Sequence, residues 1–170
     1  MDFRALFKIS YGMYIVSSKK GDKINAQLSN TVVQISPDPA TMLISISKNN
    51  LTHEYIKESG VFTISVISTE CEMTDIGPFG FRTGRDFDKF ANRPYELGKN
   101  GAPYLKDRMI GYIECEVLRS VDSDSHTLFI GTVTEAEFLN SDLEAMTYDF
   151  YRKELHGKLS KNATHYHKGE

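Results

Sequence analysis

What most narrows the folds open to this chain is its punctuation. Short runs of alternating apolar and polar residues are cut off, again and again, by turn residues. Met42, Ile44 and Ile46 alternate with Ser45 and Ser47, and Phe62, Ile64 and Val66 with Thr63 and Ser65. Ile113, Cys115 and Val117 open a further run, answered by Leu128 to Val133 across the polar turn Asp122 to Ser125. A two-residue period puts one face of a strand in a core and leaves the other outside it. Leu6 to Val16 reads as a first strand ending in the turn Lys19-Lys20-Gly21-Asp22. Ile24 to Ile35 reads as a second, stopped by Ser36-Pro37-Asp38-Pro39, because proline has no N–H to give to a ladder.

Helical signals are few. Asn50 suits an N-cap, Leu51 to Ser59 a helix body and Gly60 its stop, and Glu70 to Ile76 suits a second short helix. The stretch from Gly77 to Pro103 is rich in glycine, cations and aromatics and poor in period, which predicts a long functional loop. Tyr148 to Leu155 fits a strand or a helix equally well, and the polar tail after Gly157 is expected to fray. Many short strands with so few helices predict a mainly β, antiparallel barrel rather than an alternating α/β wind. The expected organisation is one domain over residues 1–157, with a polar tail over residues 158–170; a chain of 170 residues can bury a core without metal or disulfide staples.

Composition removes several partners. A net charge of −3 gives no general pull toward nucleic acid or anionic lipid. The N-terminal segment carries no leader-like apolar stretch, and no run approaches the roughly 20 apolar residues of a membrane span. Cys71 and Cys115 form neither a CxxC nor a zinc pattern and are expected to be free thiols in a reducing cytoplasm, Cys115 as a small buried hydrophobe. No metal site is expected: His165 and His167 lie in the polar tail.

Rossmann, P-loop, nucleophile-elbow and HExxH motifs are all missing, so any cofactor site must be assembled from scattered groups. Three segments offer them. In Asn25 to Ser36, the side chains of Asn25, Ser29, Asn30, Thr31 and Gln34 form either the wet face of a strand or a hydrogen-bonding edge for a heteroaromatic ring such as a flavin. Ser47 to Thr52, with Lys48 and Asn50, is either plain helix capping or an anion site at a helix N-terminus. The segment Phe79 to Phe90 mixes Arg82, Arg85 and Lys89 with Phe79, Phe81, Phe87 and Phe90. That mixture suits a phosphorylated aromatic ligand, a single-stranded nucleic acid, or simply core aromatics with solvated charges. A lone His126 between a turn and a strand is as well read as a structural hydrogen bonder.

Taken in order, KINAQLSNTVVQISPDP, SISKNNLTHEYIKESGVFTISVIS, FGFRTGRDFDKF, GAPYLKD and SHTLFIGTVTEAEFL resemble the flavin reductase-like family, the FMN-binding split barrels. Within it the likeness is to flavoredoxin and to the flavin domain of high-molecular-weight rubredoxin. The resemblance implies a Greek-key split β-barrel, a homodimer, and non-covalent FMN near its interface. By the same resemblance Asn30 and Thr31 line the flavin, Thr52 contacts its phosphate region, Lys89 serves the same end, and His126 lies near flavin and nicotinamide as the catalytic candidate; Val32 beside the first pair and Ser47, Lys48 and Asn50 of the helix start are expected to complete the cofactor site. The segment Asp124-Ser125 before His126 and the stretch Met146 to Tyr151 depart from the family pattern. The tail lacks the paired CxxC of a rubredoxin. The implied activity passes electrons from NAD(P)H through FMN to free flavin or to a rubredoxin-like partner. The alternative is an electron carrier with little NAD(P)H activity of its own.

Overall fold

The computed structural model describes residues 2–158 and 161–163. Seven strands form one antiparallel sheet: β1 (Tyr14–Lys20), β2 (Lys23–Ser29), β3 (Val32–Pro37), β4 (Ala40–Ser47), β5 (Val61–Ile67), and, later in the chain, Met109–Asp122 and His126–Phe138. A separate hairpin, β6 (Tyr95–Leu97) with β7 (Pro103–Leu105), precedes those last two strands, which are therefore β8 and β9. The order across the sheet is β2-β1-β5-β8-β9-β4-β3. Its two edge strands, β2 and β3, are consecutive in the chain and joined only by Asn30 and Thr31. Two residues cannot span a flat seven-stranded sheet, whose strands lie about 4.8 Å apart, so the sheet has to curl until its edges meet. The result is a barrel that is split at the β2/β3 seam.

Two cores follow from the curl. Val16, Ile44, Ile46, Phe62, Ile64 and Phe129 fill one side of the sheet. Ile15, Ile67, Ile76, Phe79, Phe90 and Tyr151 fill the other, under the helices. Neighbours Ile15 and Val16 go to opposite cores because successive strand residues point to opposite faces. Helix α1 (Leu51–Ser59) links β4 to β5 and stops at Gly60, whose φ of 70° is the left-handed cap expected there. Helix α2 (Met73–Phe81) and the short α3 (Tyr148–Lys153) cover the second core.

Several expectations are corrected. Phe3–Lys8 is a 3-10 helix and the first strand begins only at Tyr14. The single strand expected over residues 24–35 breaks at Asn30-Thr31, where the chain crosses from one sheet edge to the other. The second helix starts at Met73, where a capping box between Glu72 and Asp75 fixes its first turn, and it takes in Gly77 to Phe81 from the expected loop. The rest of that loop contains the β6–β7 hairpin, pinned by buried Glu114, which accepts the Lys99 and Asn100 backbone N–H groups at 3.0 and 2.8 Å. Residues 148–153 resolve to helix, with Thr147 as a side-chain cap on the Phe150 N–H. Cys71 and Cys115 are free and buried, and burial pushes their thiols up to about 11 and about 12, far from reactive thiolates.

Candidate functional site

A cleft of about 490 Å³ opens where the start of α1, strand β2 and the end of α2 converge. A narrower hollow adjoins it, sharing Gln27, Asn50 and Gly80 and reaching Ser29, Asn30 and Ser45 at the seam. The polar face of β2 builds one wall. Asn25, Gln27 and Ser29 alternate along the strand, so all three share a face, while Ala26 and Leu28 turn to the core beneath α2.

Helix α1 aims its first turn into this cleft. Asn50 sits at the N-cap with extended backbone, yet its side chain caps nothing. It donates instead to Gln27 Oε1 at 3.0 Å. Thr52, buried, accepts from Asn25 Nδ2 at 2.8 Å. Across the cleft stands Lys89. Only 6% exposed, it donates to the carbonyls of Ala26 at 2.8 Å and Phe79 at 3.4 Å, and among the described residues no carboxylate pairs with it. Burial alone pulls its ammonium down to about 8. A buried cation without an anion, facing a helix N-terminus whose cap residue has turned away, fits a phosphate monoester. A Cβ on Gly84 would lie 1.9 Å from Asn25 Oδ1, so a larger residue there has to displace the side chain that holds Thr52.

The site residues expected from sequence fall into two groups. Asn30, Asn50, Thr52 and Lys89 line the cleft or its narrow extension. Ser47, Lys48, Thr31, Val32 and His126 do not. Ser47 is buried and tightens the turn into α1, its Oγ accepting the Asn49 N–H at 3.4 Å. Lys48 reaches the β8–β9 turn, donating to the Ser123 carbonyl at 2.6 Å. Thr31 donates to Asn30 Oδ1 at 3.3 Å, and Val32 packs on the barrel core. His126 pairs with Ser47 across β4–β9 and bonds Ser125 Oγ through Nδ1 at 2.8 Å. Its Nε2 is buried and finds no hydrogen-bond partner among the described residues.

Sequence reasoning passed over Gln27, Gly84, Lys161 and Asn162, all of which line the cleft. The alternation of Asn25, Gln27 and Ser29 was a readable signal for the first; nothing local marks the others. It also passed over His53, buried on α1, whose Nε2 meets Thr127 Oγ1 at 2.8 Å while Thr127 donates to Asp122 at 2.7 Å. Burial lowers the pKa of this ring, and it lines neither hollow; it ties α1 to β9. Of the aromatics in the Phe79 to Phe90 segment, Phe79 is core at 2% exposure, whereas Phe81 is 49% exposed. His165 and His167 lie outside the described residues.

The family model described as "Flavin reductase like domain" matches residues 6–157. The chain belongs to the flavin reductase-like family. It is 46% identical over 163 residues to the high molecular weight rubredoxin of Moorella thermoacetica, covering 96% of this chain and 71% of that protein. To the ferric-chelate reductase (NAD(P)H) of Archaeoglobus fulgidus it is 40% identical over 166 residues, with 98% of both chains covered. Flavoredoxin from Methanosarcina acetivorans shares the fold, with a TM-score of 0.69 at 18% identity over 76% of this chain and 69% of that one. A flavin reductase-like protein is thus both what the ordered segments resembled and what the seam architecture builds, and the expected split barrel is the fold observed.

Proposed function

We propose that this chain holds FMN without a covalent bond, its phosphate between Lys89 and the first turn of α1, and that its reducing equivalents come from NAD(P)H. The chain is an oxidoreductase of flavin-dependent electron transfer. The observation that carries the FMN reading is the buried, anion-less Lys89 facing the N-terminus of α1 across the cleft. A bound flavin supplies the capacity to accept a hydride and to pass electrons on singly or in pairs. The protein supplies position and polarity. Thr52, fixed by Asn25, and the α1 N–H groups orient the phosphate; Asn30 and Ser45 at the seam offer hydrogen bonds to a polar ring edge.

The same reading makes the protein a homodimer. Strand pairing puts Val33, Leu43 and Ile130 side by side, and Leu128 between Ser45 and Val121, all on one face of the sheet. Val33 is 50% and Val121 52% exposed, an apolar face suited to a second copy. His126 lies two residues before Leu128 and shares that face. Ser45 shares it too and lines the narrow hollow. We read His126, which lines neither hollow but whose buried Nε2 finds no partner among the described residues, as a donor to the pyrimidine end of a flavin, which gains electron density on reduction. We read the electron acceptor as free flavin or a rubredoxin-like protein, and the compartment as the cytoplasm, where Cys71 and Cys115 stay reduced.

The test begins with the visible spectrum of the purified protein and titrations with FMN and with riboflavin. FMN should bind, and Thr52→Ala should weaken FMN about 5- to 10-fold while leaving riboflavin within twofold. Equal losses for both ligands place the phosphate elsewhere. Stopped-flow reduction by NADH and by NADPH then separates a reductase from a carrier, since a carrier shows no reduction by either.

A further inference from the structure

Of the C-terminal segment, expected to fray, the described residues Lys158 and 161–163 line the cleft or its narrow extension. The segment's path is set by α3. The Gly157 N–H donates to the Tyr151 carbonyl at 3.0 Å, and the Tyr151 hydroxyl donates to the Lys158 carbonyl at 3.0 Å. Gly157 lies flat on the Tyr151 ring, where a Cβ would stand 2.1 Å from Cζ, and His156 before it turns with a φ of 51°. From there the chain reaches the mouth of the site. Asn162 Nδ2 donates to Asn50 Oδ1 at 2.7 Å, and Asn50 in turn donates to Gln27 at 3.0 Å. One hydrogen-bonded chain therefore joins the C-terminal segment, the α1 N-cap and β2. This also explains why Asn50 leaves its own helix uncapped: its side chain is occupied in both directions. Lys161 and Asn162 line the large cleft together with Lys89, and Lys158 and Ala163 line the narrow hollow.

We propose that Lys158 and residues 161–163 form part of the cofactor site, with Asn162 latching the segment to Asn50 and Lys161 giving the phosphate end a second cation beside Lys89. The proposal rests on the flavin reading of the cleft. A phosphate monoester carries up to two negative charges near neutral pH, and Lys89 alone meets one of them. Lys161 is exposed, so its share is modest and sensitive to salt. The latch acts differently: it closes over the ligand whatever its terminal group, so it governs escape more than charge recognition.

Wild type, Lys161→Gln, Asn162→Ala and a chain stopped after Gly157 are compared for FMN and riboflavin affinity by fluorescence quenching, and for release rate by stopped-flow displacement. Lys161→Gln should weaken FMN about 3- to 5-fold at low salt and leave riboflavin unchanged. Asn162→Ala should speed release of both ligands about 3- to 10-fold. The stopped chain should show both effects. Trypsin provides a readout independent of affinity: cleavage after Lys158 and Lys161 in wild type should slow when FMN is added. Unchanged affinity and release in the stopped chain, with wild type binding FMN, overturns the proposal alone. Tighter binding in the stopped chain also overturns it, and identifies the segment as a competitor for the cleft. A wild type that binds neither ligand overturns the flavin reading itself and this proposal with it.

Discussion

Replacing Lys89 by Met asks the protein to choose between stability and ligand binding. Among the described residues the ammonium is buried with only two carbonyls for company, and its pKa falls from 10.5 to about 8. The unfolded chain keeps the ordinary value. Between about pH 8 and 10.5 the unfolded chain therefore binds more protons than the folded one, so stability rises with pH through that window. Below pH 8 the whole cost stands. At about 1.36 kcal/mol per pH unit it amounts to about 3 kcal/mol. Methionine keeps the length and loses the charge, but gives up two hydrogen bonds worth roughly 1 kcal/mol together. The flavin-free variant should thus be more stable at pH 7 by about 1–2 kcal/mol, seen as a rise in melting temperature of roughly 3–6 °C by circular dichroism. The gain should shrink toward zero by pH 10. FMN binding should weaken by about 10- to 100-fold, the loss expected for a charge-assisted hydrogen bond, with riboflavin within twofold. Wild type should also lose FMN affinity about tenfold between pH 7 and 9, because the protonated fraction of Lys89 falls from about nine-tenths to about one-tenth. A variant that melts lower at pH 7 and still binds FMN as wild type does would refute the reasoning at both ends.

Gly84→Ala should push Asn25 off Thr52, lowering stability by about 1–3 kcal/mol in thermal unfolding and loosening FMN more than riboflavin; an unchanged melting temperature would show that Asn25 moves freely. His126→Ala should slow flavin reduction by NAD(P)H about 10- to 100-fold at saturating FMN, and His126→Gln, which keeps a donor, should retain most of the rate; wild-type kinetics in the alanine variant would make His126 a wall residue. Light scattering in the micromolar range should report a dimer, and Val33→Asp, a charge placed on the shared apolar face, should report a monomer; a monomeric wild type that binds FMN tightly removes the dimer from the reading.

The sequence by itself determined the strands whose two faces differ. Met42–Ile46, Phe62–Val66 and Ile113–Val117 show period-two patterns because each is buried in the barrel core on one side, and Gly60 ends α1 because the left-handed cap favours glycine. It also pointed to four residues that line the cleft or its extension: Asn50 and Thr52 through the helix start, Lys89 through a cation beside aromatics, and Asn30 through the polar strand segment. Only the tertiary structure decided the rest, because those features depend on what the curl of the sheet brings together. The break at Asn30-Thr31 is invisible in a run of β-prone residues; it exists because the two edge strands have to meet. That Lys48 and Lys89, two lysines near helix and loop ends, face different ways is fixed by partners 75 and 63 residues away in the chain, Ser123 and Ala26. The cover over the cleft depends on a bond from Asn162 to Asn50 across 112 residues, a separation at which side-chain periodicity carries no information.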